Sequence, residues 1–183
     1  MTSTPVLPTG RHRQLGAEDV IVSKTDLRGH LTYVNDTFVD ISGYAEQDLL
    51  GKAHNVIRHP DMPRAVFALL WETLQRGEEI FAYVVNLCAD GDHYWVLAHV
   101  TPTVDAGGRT VGYHSNRRAP APEAVAQAEA VYRRVLAVEA AQPSARVATA
   151  AGTAELQRIL AEAGTTYDAW VWSLTHQAGK AVA

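Results

Sequence analysis

The chain has 183 residues, 47% of them hydrophobic and 20% charged, and a net charge of −4 at pH 7 with a pI near 6.0. That describes one ordinary globular domain with room for an extension, and the acidic balance argues against nucleic acid as a main partner. One cysteine, Cys88, excludes an internal disulfide framework, and no apolar run approaches the ~20 residues of a membrane helix. With no apolar core of a signal peptide in Met1 to Gly10, a cytoplasmic protein without a membrane span is expected.

Residues 1–17, with Pro5, Pro8 and Gly10 among polar residues, read as a flexible leader. Val20 to Ser23 is a short strand, Asp26 to Gly29 a turn, and Leu31 to Val34 a second strand. Asp36 is positioned to cap a short helix stopped near Ser42-Gly43, and Glu46 to Leu50 is a further short helix ended by Gly51. The run Arg58-His59-Pro60-Asp61-Met62-Pro63 is a stiff turn that opens a helix, with Pro63 suited to its first position and Asp61 to its cap. That helix carries Val66, Leu70 and Leu74 at four-residue steps and stops at Gly77.

Ile80 to Cys88 and His93 to Val104 flank Asp90-Gly91, a strong hairpin signal, and Thr110 to Arg117 follows the Gly107-Gly108 turn. Alternation puts Ile80, Ala82, Val84, Asn86 and Cys88 on one face with Tyr94, Val96, Ala98 and Val100. The opposite face carries Phe81, Tyr83, Val85, Leu87, Trp95 and Leu97, so it too must be covered, by a helix of this chain or by another subunit. After an Ala-Pro linker, Glu123 to Ala141 is helical with a stripe of Val125, Ala128, Val131, Tyr132 and Val135. Gln142-Pro143-Ser144 breaks it, and Leu156 to Ala163 and Tyr167 to His176 read as a terminal pair of short helices. The domain plan is a leader over 1–17, an α+β domain over 18–118 and a helical extension over 119–183.

The order β-β-α-α-α-β-β-β, with Asn35-Asp36-Thr37-Phe38, Ser42-Gly43-Tyr44, His54-Asn55, Arg58 to Pro63 and Gly91-Asp92-His93-Tyr94-Trp95-Val96, resembles the PAS sensor domain of the bacterial aerotaxis-receptor type. The resemblance implies a PAS fold: a five-stranded antiparallel sheet with short helices on one face, here followed by the helical extension. It also implies non-covalent FAD in the domain's cavity and a role in redox or oxygen sensing. Carried over by position, the implied cofactor contacts are Asn35, Arg58, His59, Asp61 and Asn86. One departure stands out. Relatives that bind flavin commonly carry Trp-Ser-Gly where this chain has Ile80-Phe81-Ala82, and the loss of that ring removes stacking worth ~1 kcal/mol.

Rival chemistries are thinner. His54 and His59, or Cys88 with Asp92 and His93, lack the paired spacing of a structural zinc site, so no metal is expected. A haem-binding domain could nominate His59, His99 or His114 as axial ligand. No phosphate loop, nucleophile elbow or kinase signature is present, so the chain does not read as an enzyme. The alternative to a loaded sensor is a ligand-free PAS module that binds proteins. Either would act on a separate signalling partner, as a homodimer paired through the outer sheet face, with Leu156, Ile159, Leu160, Trp170 and Trp172 closing its edges.

Overall fold

The computed structural model describes residues 6–180. Five strands, β1 (Ile21–Thr25), β2 (Leu31–Val34), β3 (Ile80–Leu87), β4 (His93–Val104) and β5 (Thr110–Arg118), form one sheet in the order β2-β1-β5-β4-β3. The pairings β1–β2, β1–β5 and β4–β5 are antiparallel. The helices are α1 (Asp36–Ser42), α2 (Glu46–Leu49), α3 (Arg64–Gln75), α4 (Pro122–Ala140), α5 (Ala145–Glu162) and α6 (Tyr167–Lys180), with a 3-10 turn at His54–Ile57. This is the expected PAS architecture of five strands, short helices and a helical extension.

The chain divides into two compact units, one made of residues up to His59 with Val84–Ala119, the other of Pro60–Tyr83 with Pro120 onward. The division does not fall at 118/119, because α3 and the start of β3 group with the C-terminal helices.

Within the first unit, Asn35 rather than Asp36 caps α1. Its Oδ1 accepts from the Phe38 and Val22 N–H groups at 3.2 and 2.9 Å, and its Nδ2 donates to the Val20 carbonyl at 2.8 Å. Gly43 closes that helix at φ 70°. The expected flexible leader needs correction: residues 1–5 lie outside the described residues, but the next stretch is laid along the β3–β4 hairpin. The Thr9 N–H donates to the Gly91 carbonyl, Arg13 N–H to His93, and His93 N–H to Arg11. Asp92 fastens this strap, accepting from the Thr9 hydroxyl at 2.7 Å and from Arg11 at 2.9 Å, while Asp90 takes Arg13 at 2.6 Å. Gly91 is required at φ 92°, and a Cβ there would sit 2.2 Å from the Leu7 carbonyl oxygen.

Within the second unit, α3 packs on α5, and α4 packs on α5 and α6. Pro63 is the cap residue of α3, one place earlier than expected, and Asp61 stands exposed in the turn. The Arg64 and Ala65 N–H groups go instead to the buried Glu139 of α4, at 3.0 and 2.9 Å. The buried stripe of α4 is Ala124, Ala128, Tyr132, Val135 and Glu139, so Ala128, Tyr132 and Val135 face inward as expected while Val125 and Val131 are half-buried. Helix α5 starts eleven residues earlier than expected, at Ala145 behind its cap Ser144. It buries Leu156, Ile159 and Leu160 within this chain.

The outward side chains at the start of β3 are met by the chain's own helices. Phe81 meets Trp172 of α6 in a tilted ring contact with centroids 4.7 Å apart, and the Tyr83 hydroxyl bonds Thr175 at 3.0 Å. Tyr132 of α4 donates to the Tyr83 carbonyl at 2.8 Å. Trp170 lies against Tyr132 and Tyr167, while Trp172 keeps 37% of its surface exposed.

Candidate functional site

The first unit gathers polar side chains on one face of its sheet. Antiparallel register pairs Ser23 with Ser115, Ile21 with Arg117, Ala98 with Arg117 and Val100 with Ser115, so alternation puts Ser23, Thr25, Tyr94, Ser115 and Arg117 on the same face. The Cys88 N–H to Asp92 carbonyl bond sets the hairpin so that Asn86 stands opposite Tyr94 on that face. Five buried atoms there have no hydrogen-bond partner among the described residues: Thr25 Oγ1, Asn86 Nδ2, Tyr94 OH, Ser115 Oγ and Arg117 Nη1. A buried polar group left unpaired costs about 1–3 kcal/mol. Five on one face make it the candidate site, since a ligand that accepts hydrogen bonds would satisfy them.

Arg117 is the centre of charge. It is buried, its Nη2 donates to Ser23 Oγ at 2.9 Å and to His54 Nε2 at 2.5 Å, and its guanidinium lies 5.4 Å from the Phe38 ring centroid. Burial pulls its pKa down to about 10, so it remains a cation at neutral pH. Burial, then the adjacent guanidinium, lower His54 to about 3, so its ring is neutral and accepts from Arg117. Burial also raises the Tyr94 phenol, which stays protonated and able to donate.

The five positions singled out by resemblance divide into groups. An isolated antiparallel bridge pairs Arg58 with Asn86, so the backbone of the turn runs beside edge strand β3. His59, at the same turn, is buried, with its ring centroid 5.5 Å from that of His93. Arg58, His59 and Asn86 are therefore brought together. Asn35 is committed to the joint between β1 and α1, with all three of its side-chain hydrogen bonds to backbone. Asp61 is exposed. Ile80, at the position of the missing tryptophan, is buried. Arg117, Ser23 and Ser115 are not among the residues that the resemblance nominates, although the alternation applied to β3 and β4 places them inward once extended to β5 and β1.

These groups fit a flavin. The Asn86 amide, the Tyr94 hydroxyl and the Arg117 guanidinium are unfilled donors, and the polar edge of an isoalloxazine ring is rich in acceptors. The apolar Val96 and Ala98, both buried, supply flat wall between them. Metal is a poorer fit, since no cluster of three His, Cys, Asp or Glu side chains suited to a metal occurs among the described residues. Cys88 is no nucleophile: burial pushes its thiol up to about 11, and Sγ donates to the Ile41 carbonyl. No helix among the described residues is long and apolar enough to cross a membrane.

Comparison with known proteins agrees with this architecture. Residues 31–117 match the family model described as PAS fold. The chain is 42% identical over 147 residues to the aerotaxis receptor of Escherichia coli (strain K12), a match covering 80% of this chain and 28% of the receptor. The chain thus spans little more than a quarter of that relative. Among solved structures, the light-state LOV domain of the blue-light photoreceptor Aureochrome1 superposes with a TM-score of 0.54 at 21% identity, covering 59% of this chain and 87% of that one. A light-oxygen-voltage domain studied with a flavin analogue gives 0.51 at 21% identity, covering 63% and 84%. Strand order, motif set and family match converge: this chain carries a PAS domain, and it is similar in sequence to the aerotaxis receptor.

Proposed function

We propose that this chain is a cytoplasmic signal-transduction sensor module whose PAS domain holds FAD non-covalently and reports redox or oxygen state. The observation that carries this reading is the set of unfilled buried donors on the inner sheet face, Asn86 Nδ2, Tyr94 OH and Arg117 Nη1. Likeness to the aerotaxis receptor supports the same reading. Asn86 would bond the ring's polar edge, and Arg58 and His59 in the adjoining turn would serve its phosphates. Asp61 belongs to that turn as its exposed acid, and Asn35 acts as a positioning residue that fixes the joint between β1 and α1. A bound flavin would supply one- and two-electron redox chemistry. The chain's own residues would bind it, orient it and shift with its charge, since a redox signal needs contacts that differ between the two states. The signal would pass to a separate protein partner, and Trp95 and Leu97 of the outer sheet face are the apolar side chains a second copy would meet.

The test is to release any cofactor from the purified protein by heat and identify it by chromatography, then add FAD back to the stripped protein. Recovery of FAD, or re-uptake with a yellow protein, is expected. Colourless protein that stays colourless with FAD overturns the flavin reading and leaves the ligand-free interaction module.

A further inference from the structure

The guanidinium of Arg117 has more charge than its surroundings use. It is only 4% exposed, and among the described residues no carboxylate stands against it. Its two partners, Ser23 and His54, are both neutral, so they aim the fork without cancelling its charge. The Phe38 ring beneath it offers a cation–π contact, which is a modest term beside the cost of burying an ion. Nη1 is left with no partner, and Tyr94 and Ser115 leave further unfilled polar atoms on the same face. A fold that needed only a tie between β1 and β5 could make it with a neutral donor and avoid the buried charge.

We propose that Arg117, oriented by His54 and Ser23, is a built site for negative charge on the inner sheet face, so that the bound ligand presents an anionic or charge-accumulating edge to it. This rests on the reading that the face holds a ligand, and adds which charge that ligand carries and where. For a flavin the consequence is directional. FAD reduced by dithionite takes up two electrons and, near neutral pH, one proton, so its ring gains one negative charge relative to oxidised FAD. Arg117 therefore favours the reduced form.

The experiment compares wild type with Arg117→Met and Arg117→Gln in two measurements. In the first, FAD-free proteins are melted. Arg117→Met is expected to melt at or above the wild-type temperature, because an uncompensated buried charge has been replaced by a side chain of similar length. A melting point several degrees lower, or failure to fold, makes Arg117 a framework residue and overturns the proposal. In the second, oxidised and dithionite-reduced FAD are titrated anaerobically by equilibrium dialysis. Arg117→Gln is expected to lower affinity for the reduced form about tenfold more than for the oxidised form, equivalent to ~30 mV in the midpoint potential of a two-electron couple. Equal losses for both forms overturn the proposal. If the wild type takes up neither form, the flavin reading fails, and the melting comparison still decides whether Arg117 is held for the fold or for a ligand.

Discussion

Asn86 is a proposed ligand residue whose side chain has an unfilled donor in the structure. Its backbone is bridged to Arg58, its side chain is buried, and its Nδ2 has no partner among the described residues. Removing one hydrogen bond to a ligand costs about 1–1.5 kcal/mol, so Asn86→Ala should weaken FAD binding about tenfold while leaving the melting point of the ligand-free protein within a few degrees. Fluorescence titration with FAD checks the first outcome, and a melt without FAD the second. His54 makes a prediction about pH. In the unfolded chain an imidazole titrates near ~6.5, but in this fold burial and Arg117 hold it down to about 3. Between those values the unfolded chain binds more protons, so stability falls as pH drops from ~6.5 toward 3, by at most ~1.4 kcal/mol per pH unit. Urea unfolding of wild type and His54→Gln at pH 7, 6, 5 and 4 should show a shallower slope in the variant. Parallel slopes would mean that the fold does not hold His54 neutral.

At the scale of elements, the contact least visible in sequence is the cap on α3. Glu139 reaches from the last turn of α4 to two N–H groups 74 and 75 residues away, and Gly152 of α5 makes room for it. A Cβ on Gly152 would lie 2.4 Å from Glu139 Oε1, and the carboxylate is pinned, so it cannot step aside without losing the cap. Glu139→Ala should cost about 1–2 kcal/mol, as a lost cap does, and Gly152→Ala a similar amount by displacing the same carboxylate. The two should not add. With Glu139 already truncated, Gly152→Ala should be close to neutral, and a double-mutant cycle by urea unfolding measures that coupling. Full additivity would show that Gly152 serves some other packing need. Within the second unit, this acid ties α4 to the first turn of α3.

At the scale of the whole molecule, the strands were legible and the helical tail less so, for physical reasons. Period-two alternation and the Asp90-Gly91 and Gly107-Gly108 turns locate β3, β4 and β5 within a residue or so. The first half of α5 shows no apolar periodicity because it packs through small residues, Ala148 and Gly152, so only its Leu156–Leu160 half could be read. The strap at residues 9–13 is held by backbone bonds and by arginines on Asp90 and Asp92, which leave no hydrophobic trace in the sequence. At the candidate site, Arg58, His59 and Asn86 were nominated through motif and alternation. Arg117 was not, because an arginine in a strand ordinarily turns to solvent and only the register shows that this one cannot. The outer face carries the oligomer prediction: Trp95 and Leu97 are partly buried within one chain, so a Trp95→Glu variant should lose mass by light scattering if copies pair there. An unchanged mass would remove the sheet face from any dimer. The central claim, that the inner face of this PAS sheet is built for a flavin, is tested most directly by the thermal shift of stripped protein on adding FAD. At a hundred times the dissociation constant a ligand bound only by the native state stabilises it by ~2.7 kcal/mol, so a saturable rise of several degrees, much reduced in Asn86→Ala, is predicted. A melting point that does not move at any FAD concentration, or that moves equally in the variant, would contradict it.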